Sequence, residues 1–217
     1  MKDFRIDNKG TGQLFQNKHL ERLTRTPFIV PVVIYYVLAL LCLWIAYSNP
    51  DIHLVKNIWM VPAGMLAFSL VEYIIHRYLF HFNATTEHQE KLQYSIHGVH
   101  HEFPRDKDRL VMPVILSLLL AAAFYFLFIF LMGDNGIVFY AGFIAGYSTY
   151  LVIHYAVHAL KPPQNFLKFW WKHHSLHHYA SVHSAFSVSF PLWDMIFGTM
   201  PPEKERVASD KLPDAIN

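Results

Sequence analysis

Residues 137–158 read IVFYAGFIAGYSTYLVIHYAVH. Between Ile137 and Val157 there is no Lys, Arg, Asp or Glu, and about 20 such residues in a helix cross the hydrocarbon core of a bilayer. The stretch ends on His154 and His158, which stand four apart and so share one helix face. An apolar span finishing in two neighbouring imidazoles sets the terms on which the rest of the chain is read.

Three further stretches have the same character: Phe28–Tyr47, Ile58–Leu79 and Val111–Met132. The second contains Glu72, His76 and Arg77, but only in its last third. Pro62 and Pro113 sit near span starts, where a missing N–H costs little. The turn Gly133-Asp134-Asn135-Gly136 is so short that the last two spans must form an antiparallel hairpin. A large soluble helical core is the alternative, but four charge-poor interiors are hard to house in water. Composition agrees: 53% of the 217 residues are hydrophobic and 16% charged, where a soluble domain carries about a quarter charged residues. The expected fold is therefore an all-α integral membrane protein with four transmembrane helices. Residues 28–200 form the four-span domain and its histidine-rich helical cap, residues 1–27 an N-terminal segment and residues 201–217 a polar tail. In 1–27, Leu14, Phe15, Leu20 and Leu23 among Lys18, Arg22 and Arg25 suit either an interfacial amphipathic helix or a solvated tail. No cleavable signal peptide is visible before the first span.

Lys and Arg orient these spans. Residues 1–27 hold six, 77–110 five and 159–217 six, whereas the loop 48–57 has only Lys56 and 133–136 none. The positive-inside rule then places both termini and the 83–110 loop in the cytoplasm, as in a multi-pass protein of the bacterial inner membrane or the endoplasmic reticulum. A net charge of +2 with scattered basic residues argues against a nucleic-acid partner. The single cysteine, Cys42, excludes an intrachain disulfide framework, a Cys-ligated iron–sulfur cluster and a Cys-rich zinc ribbon.

Against this thin charge stand 15 histidines, ten of them in four spaced groups. His76 and His81 form HxxxxH at the end of the second span; His97, His100 and His101 form HGVHH in the following loop. His154 and His158 close the fourth span, and His174, His177 and His178 form HSLHH beyond it. The topology, derived from Lys and Arg alone, puts all four groups on one side. Spacings of three and four project His97 with His100 and His101, and His174 with His177 and His178, from common faces. The five-residue spacing of His76 and His81 fits less well and calls for local unwinding or for ligation of different metals. Ten imidazoles exceed the three or four ligands of one zinc, so the expectation is two metals with about five nitrogens each. Imidazole suits iron, zinc and copper alike. Carboxylates to orient the rings would come from Glu72, Glu102, Asp106, Asp108 and Asp194, for each of which a solvated or capping role is the alternative. His19, His53, His88 and His173 fall outside the pattern, and His183 is a candidate for a supporting role.

With these motifs in view the chain resembles the membrane fatty acid hydroxylase superfamily, and within it the catalytic domain of fatty acid 2-hydroxylases. HRYLFHF (76–82) resembles the family's first histidine box, and HGVHHEFPRDKDRLVMP (97–113) is the most specific match. GYSTYLVIHYAVH (146–158) resembles the third box, with Tyr147 and Tyr150 before His154; KHHSLHHY (172–179) and PLWDMIFGT (191–199) resemble the last box and its trailing signature. Two departures stand out. Leu151 occupies a position where the family often carries an acid, and no cytochrome b5-like domain precedes the first span.

The resemblance implies a di-iron monooxygenase, with zinc able to occupy the site in an isolated protein. It uses O2 as co-substrate and hydroxylates a long acyl chain at C2, free or in a ceramide-type membrane lipid. Electrons come from a separate cytochrome b5-, ferredoxin- or reductase-type protein. No catalytic residue beyond the ten metal ligands is expected. Tyr147, Tyr150, Phe186 and Trp193 are candidates to line an acyl channel, ordinary helix packing being the alternative. Hydroxylation or desaturation of a sterol or carotenoid is a second enzymatic reading. A divalent-metal transporter is a third, weakened because the spans keep their ionisable groups at one end rather than at the midplane.

Overall fold

The structure, a computed structural model, describes residues 5–204. Residues 1–4 of the N-terminal segment and 205–217 of the polar tail lie outside it. Ten α-helices follow one another: α1 (Lys18–Leu23), α2 (Ile29–Ser48), α3 (Leu54–Asn57), α4 (Met60–Ile74), α5 (Glu87–Gln93), α6 (Val99–Glu102), α7 (Val114–Met132), α8 (Gly136–Ala159), α9 (Lys168–Tyr179) and α10 (Leu192–Ile196). There is no strand among the described residues.

The long helix α8 is the axis of the molecule, with α2, α4 and α7 packed around it. Its buried residues lie on every side, from Val138 and Tyr140 to Phe143, Ile144 and Leu151. That is how a helix without a polar face is accommodated. Two glycines set how closely α4 approaches. A Cβ on Gly142 would fall 2.0 Å from the Val61 carbonyl oxygen, and one on Gly64 would fall 2.1 Å from that of Phe139. Small residues at a crossing let backbones touch, as is usual between membrane helices. Hydroxyls serve the same contacts, with Tyr35 donating to Ser117 Oγ (2.7 Å) and Ser148 to the Val32 carbonyl (2.9 Å).

The outer faces are the reverse of a water-soluble protein. Leu40 and Trp44 on α2 and Phe130 on α7 are 66%, 65% and 85% exposed. Among the described residues three stretches are long and apolar enough to cross a membrane: Ile29–Ser48, Leu54–Phe80 and Lys107–Ala159. The third, 53 residues long, contains α7 and α8 folded against each other through the tight turn Gly133–Asn135, with Gly133 at φ +60°.

Past one end of these helices the chain builds a cap from α5, α6, α9 and their loops. The N-terminal segment is tied to it rather than lying apart: the Asp7 amide donates to the Glu102 carbonyl, and the Thr26 amide to that of Asp108. Of residues 5–27 only Lys18–Leu23 is helical, with Leu20 and Leu23 exposed.

Candidate metal centre

Every box histidine reaches the same region of the cap, from four different backbone settings. His76 opens a single π-helical turn, Ile75–Phe80, that continues α4. Its closing bond runs from the His81 amide to the His76 carbonyl (3.1 Å), an i→i+5 link that brings residues five apart onto one face. This is the local unwinding that HxxxxH requires. A second π turn, Tyr94–Gly98, carries His97 into α6, where His100 and His101 follow. The end of α8 supplies His154 and His158, and α9 supplies His174, His177 and His178.

The ten sort into two groups of five. One is His76, His81, His97, His101 and His177; the other is His100, His154, His158, His174 and His178. Within each, one nitrogen from every ring lies within 4.8 Å of the others, and each group can hold a metal ion. The expectation that each HxxHH triplet projects as a unit is corrected here. His97 and His101 join one group while His100 joins the other; His174 and His178 join one while His177 joins the other. Positions i+3 and i+4 are about 100° apart around a helix axis, so a helix lying between two sites feeds both. The groups adjoin: the rings of His101 and His178, one from each, stack with centroids 4.3 Å apart.

The hydrogen bonds test whether a cation suits this arrangement. Nδ1 of His76 donates to the Phe186 carbonyl (2.5 Å), that of His177 to Ser184 (2.8 Å) and that of His154 to Leu110 (3.0 Å). A carbonyl can only accept, so in these neutral rings the proton sits on Nδ1 and Nε2 carries a bare lone pair. Those Nε2 atoms face further ring nitrogens: His76 faces His97 (3.0 Å), His177 faces His81 (3.0 Å) and His154 faces His100 (3.1 Å). His97 Nε2 is also met by His101 Nε2 at 3.0 Å, and His174 Nε2 by His158 (2.8 Å) and His178 (3.1 Å). One shared proton cannot satisfy three nitrogens, so lone pairs converge. Burial, reinforced by neighbouring imidazoles, pushes His97, His100, His174, His177 and His178 well below the usual range, and His101 to about 3. Neutral, dry and convergent nitrogens fit a divalent transition metal in each group.

The expected carboxylates work at one remove. Glu72 accepts from the Val188 amide (2.6 Å) and from the Ser189 amide and hydroxyl. Asp194, fully buried, accepts the Phe186 and Ser187 amides (both 2.9 Å), the Thr199 hydroxyl (2.7 Å) and His173 Nε2 (3.1 Å). Burial opposes ionisation of Asp194, but these donors hold its carboxyl below the ordinary value. Together the two acids clamp residues 186–189, whose Phe186 carbonyl orients His76. Glu102 accepts from Tyr94 (2.7 Å), and Asp108 is exposed. Asp106, buried, accepts the Gly12 amide at 3.1 Å.

Among the remaining histidines, His173 is the one that sequence reasoning set aside and the structure draws in, through Asp194. Its position beside His174 was the only signal. His19, His53, His88 and His183 are exposed. Arg109 was also missed as a support. It is buried, donates to the Gly12 carbonyl (2.8 Å) and Thr24 (3.2 Å), and pairs with Glu21, tying the N-terminal segment to the histidine loop.

The aromatic candidates divide. The Phe186 ring meets those of His76, His81 and His177 edge-on at 5.5–5.9 Å, and Tyr150 stacks on His154 at 5.4 Å. Tyr147 packs with Tyr35 and Phe68 further down the bundle, and Trp193 donates to Ser69 Oγ on α4 (2.9 Å). Leu151, where an acid would be common, is buried with Val32, Leu110 and Val111.

Known proteins resemble the chain in sequence and in fold. The fatty acid hydroxylase family model matches residues 61–199, which hold all ten box histidines. The chain is 34% identical to the ceramide very long chain fatty acid hydroxylase scs7 of Schizosaccharomyces pombe, over 89% of its own length and 56% of the relative's. It is 32% identical to fatty acid 2-hydroxylase of Mus musculus, over 88% and 57%. It is 31% identical to dihydroceramide fatty acyl 2-hydroxylase FAH2 of Arabidopsis thaliana, over 87% and 80%. It thus spans a little over half of the first two relatives. A solved structure of full-length scs7p, in which only the hydroxylase domain is visible, superposes with a TM-score of 0.81 at 33% identity, covering 89% of this chain and 74% of that one. Motifs, fold and histidine positions converge on one conclusion: the chain belongs to the fatty acid hydroxylase family.

Proposed function

We propose that the chain is a membrane-bound monooxygenase that hydroxylates a long acyl chain at C2, free or in a ceramide-type lipid. The observation that carries this is the pair of adjoining five-histidine groups, each with one nitrogen from every ring within 4.8 Å of the others. His76, His81, His97, His101 and His177 are the ligands of one metal, and His100, His154, His158, His174 and His178 those of the other. Iron ions held by these ligands would supply reductive activation of O2, in which one oxygen atom would enter a C–H bond and the other would leave as water on uptake of two electrons and two protons.

The protein's own part is positional. The Phe186, Ser184 and Leu110 carbonyls keep three protons on Nδ1, so each of those Nε2 atoms faces inward. Phe186 and Tyr150 exclude water from the edges of the groups. Electrons come from a separate carrier of cytochrome b5, ferredoxin or reductase type. Four helices, α2, α4, α7 and α8, cross the bilayer, with both termini and the metal centre on the cytoplasmic side. The names of the relatives, ceramide and dihydroceramide hydroxylases among them, support the substrate class.

The deciding experiment measures metal and product in one sample. Iron and zinc are quantified in protein purified from expressing cells, and the lipids of those cells are profiled. Two metals per chain and a new 2-hydroxy acyl species are expected. An altered sterol or carotenoid without any 2-hydroxy acyl product overturns the assignment.

A further inference from the structure

The segment after α9 does not stay in the cap. Trp193 donates to Ser69 on α4, the Tyr73 hydroxyl bonds that of Thr199 (3.0 Å), and the Phe197 ring stacks on Tyr73 at 5.2 Å. Ser69 lies eleven residues before the end of the apolar stretch Leu54–Phe80, about 16 Å along a helix. Trp193 is thus level with the interior of a membrane-length helix, about two turns below His76, while Phe197 and Thr199 lie against Tyr73, less than one turn below it.

Two properties suit that depth. The first is the surface of the segment: Phe190, Met195, Ile196 and Phe197 are 48%, 64%, 58% and 47% exposed, and the only charged residue in 186–199, Asp194, is fully buried. The second is that several of its polar groups are satisfied within the protein. The Met195 amide donates to the Pro191 carbonyl, Phe197 to Trp193, Thr199 to Asp194 and Ala185 to Thr199, while the Trp193 indole N–H is taken by Ser69. Paired backbone groups and an apolar exterior suit a segment at the edge of the hydrocarbon, where tryptophan is favoured. In water the same four side chains would form an uncovered apolar patch beside α4.

We propose that residues 190–197 are embedded in the leaflet on the histidine side, with Phe190, Met195, Ile196 and Phe197 in contact with lipid acyl chains. Its partner is the hydrocarbon of the leaflet, not a second protein. The segment is then the wall between bilayer and first histidine group, since Phe186 and Asp194 tie it to His76. An acyl chain approaching that group comes laterally past it. The inference rests on the membrane-spanning reading proposed above, and the test separates the two.

Full-length protein in phosphatidylcholine vesicles carries one nitroxide at a time: Met195→Cys, Ile196→Cys, Leu40→Cys in the middle of α2, or Glu87→Cys on α5. All four side chains are exposed; Cys42 is buried, and unsubstituted protein provides the labelling blank. Collision with oxygen and with a water-soluble nickel chelate is read by electron spin resonance. Positions 195, 196 and 40 should be shielded from nickel and accessible to oxygen, while 87 shows the reverse. Shielding at 40 with nickel access at 195 and 196 overturns this inference alone. Nickel access at 40 as well overturns both it and the spanning reading.

Discussion

At the level of single residues, the ten ligands are not equivalent in how they are held. His76, His154 and His177 are anchored through Nδ1 to backbone carbonyls, whereas the buried Nδ1 atoms of His81, His100, His174 and His178 have no hydrogen-bond partner. Replacing any of the ten by Ala should lower bound metal and abolish turnover. His97→Ala should deplete the first group and His154→Ala the second, while His19→Ala and His53→Ala should do neither; metal analysis beside product assay checks this. Asp194→Asn is the sharper probe. An amide cannot accept at both of its side-chain atoms, so the loop that presents the Phe186 carbonyl loosens. Supports of this kind typically cost 10–100-fold in metal affinity when removed, and chelator competition should show a loss of about that size with the fold retained.

At the level of elements, the strap formed by residues 7–26 and the loop 99–110 behave as one unit. Arg109 joins them with a planar fork that reaches Gly12, Thr24 and Glu21 together. Lysine offers a single ammonium and cannot reproduce it. Arg109→Lys should therefore release the strap, read as faster hydrogen exchange at the Gly12 and Thr26 amides. Acid should do the same. Burial opposes ionisation of Glu21, yet the Phe15 and Leu14 amides, Arg109 and Arg25 hold its carboxyl down at about 2. A depressed carboxyl contributes stability that is whole above its ordinary value of 4.5 and is lost as pH falls toward 2. Protection of the strap amides, corrected for intrinsic exchange, should be full at pH 6 and reduced near pH 3. Unchanged protection there would separate Glu21 from the strap's attachment.

On the scale of the molecule, the α4–α8 crossing carries the site, because α4 leads into His76 and α8 ends in His154 and His158. Gly142→Leu would drive a side chain into the Val61 backbone at that crossing. Overpacking costs about 1–3 kcal/mol where side chains can move, and here the obstacle is backbone. The expected outcome is a lower melting temperature together with weaker metal retention, since spreading the two helices separates the groups they feed. Thermal unfolding and metal content measured on one sample would show whether the two fall together.

Much of this was legible from residue patterns because both period and chemistry are strong. Apolar runs of membrane length and ten imidazoles at helical spacings leave few alternatives, and the histidines seen in the structure are those the motifs single out. The GDNG turn likewise had only one compact solution. The partition of the histidines was not legible. Spacing tells which side chains share a face but not what lies on either side of it, so spacing alone groups His100 and His177 with their own triplets. It does not single out the π turn at 75–80 either, because HxxxxH is satisfied equally by unwinding and by separate metals. His173 acts through Asp194, 21 residues away, and Arg109 through Gly12, 97 residues away, which no local period encodes. The all-helical, membrane-length character and the ten histidines that the structure gathers were thus set by sequence alone, through hydrophobic period and imidazole count. Which nitrogen faces which, and what holds each ring in place, was decided only when distant segments packed, since a hydrogen bond between them exists only after the chain has closed.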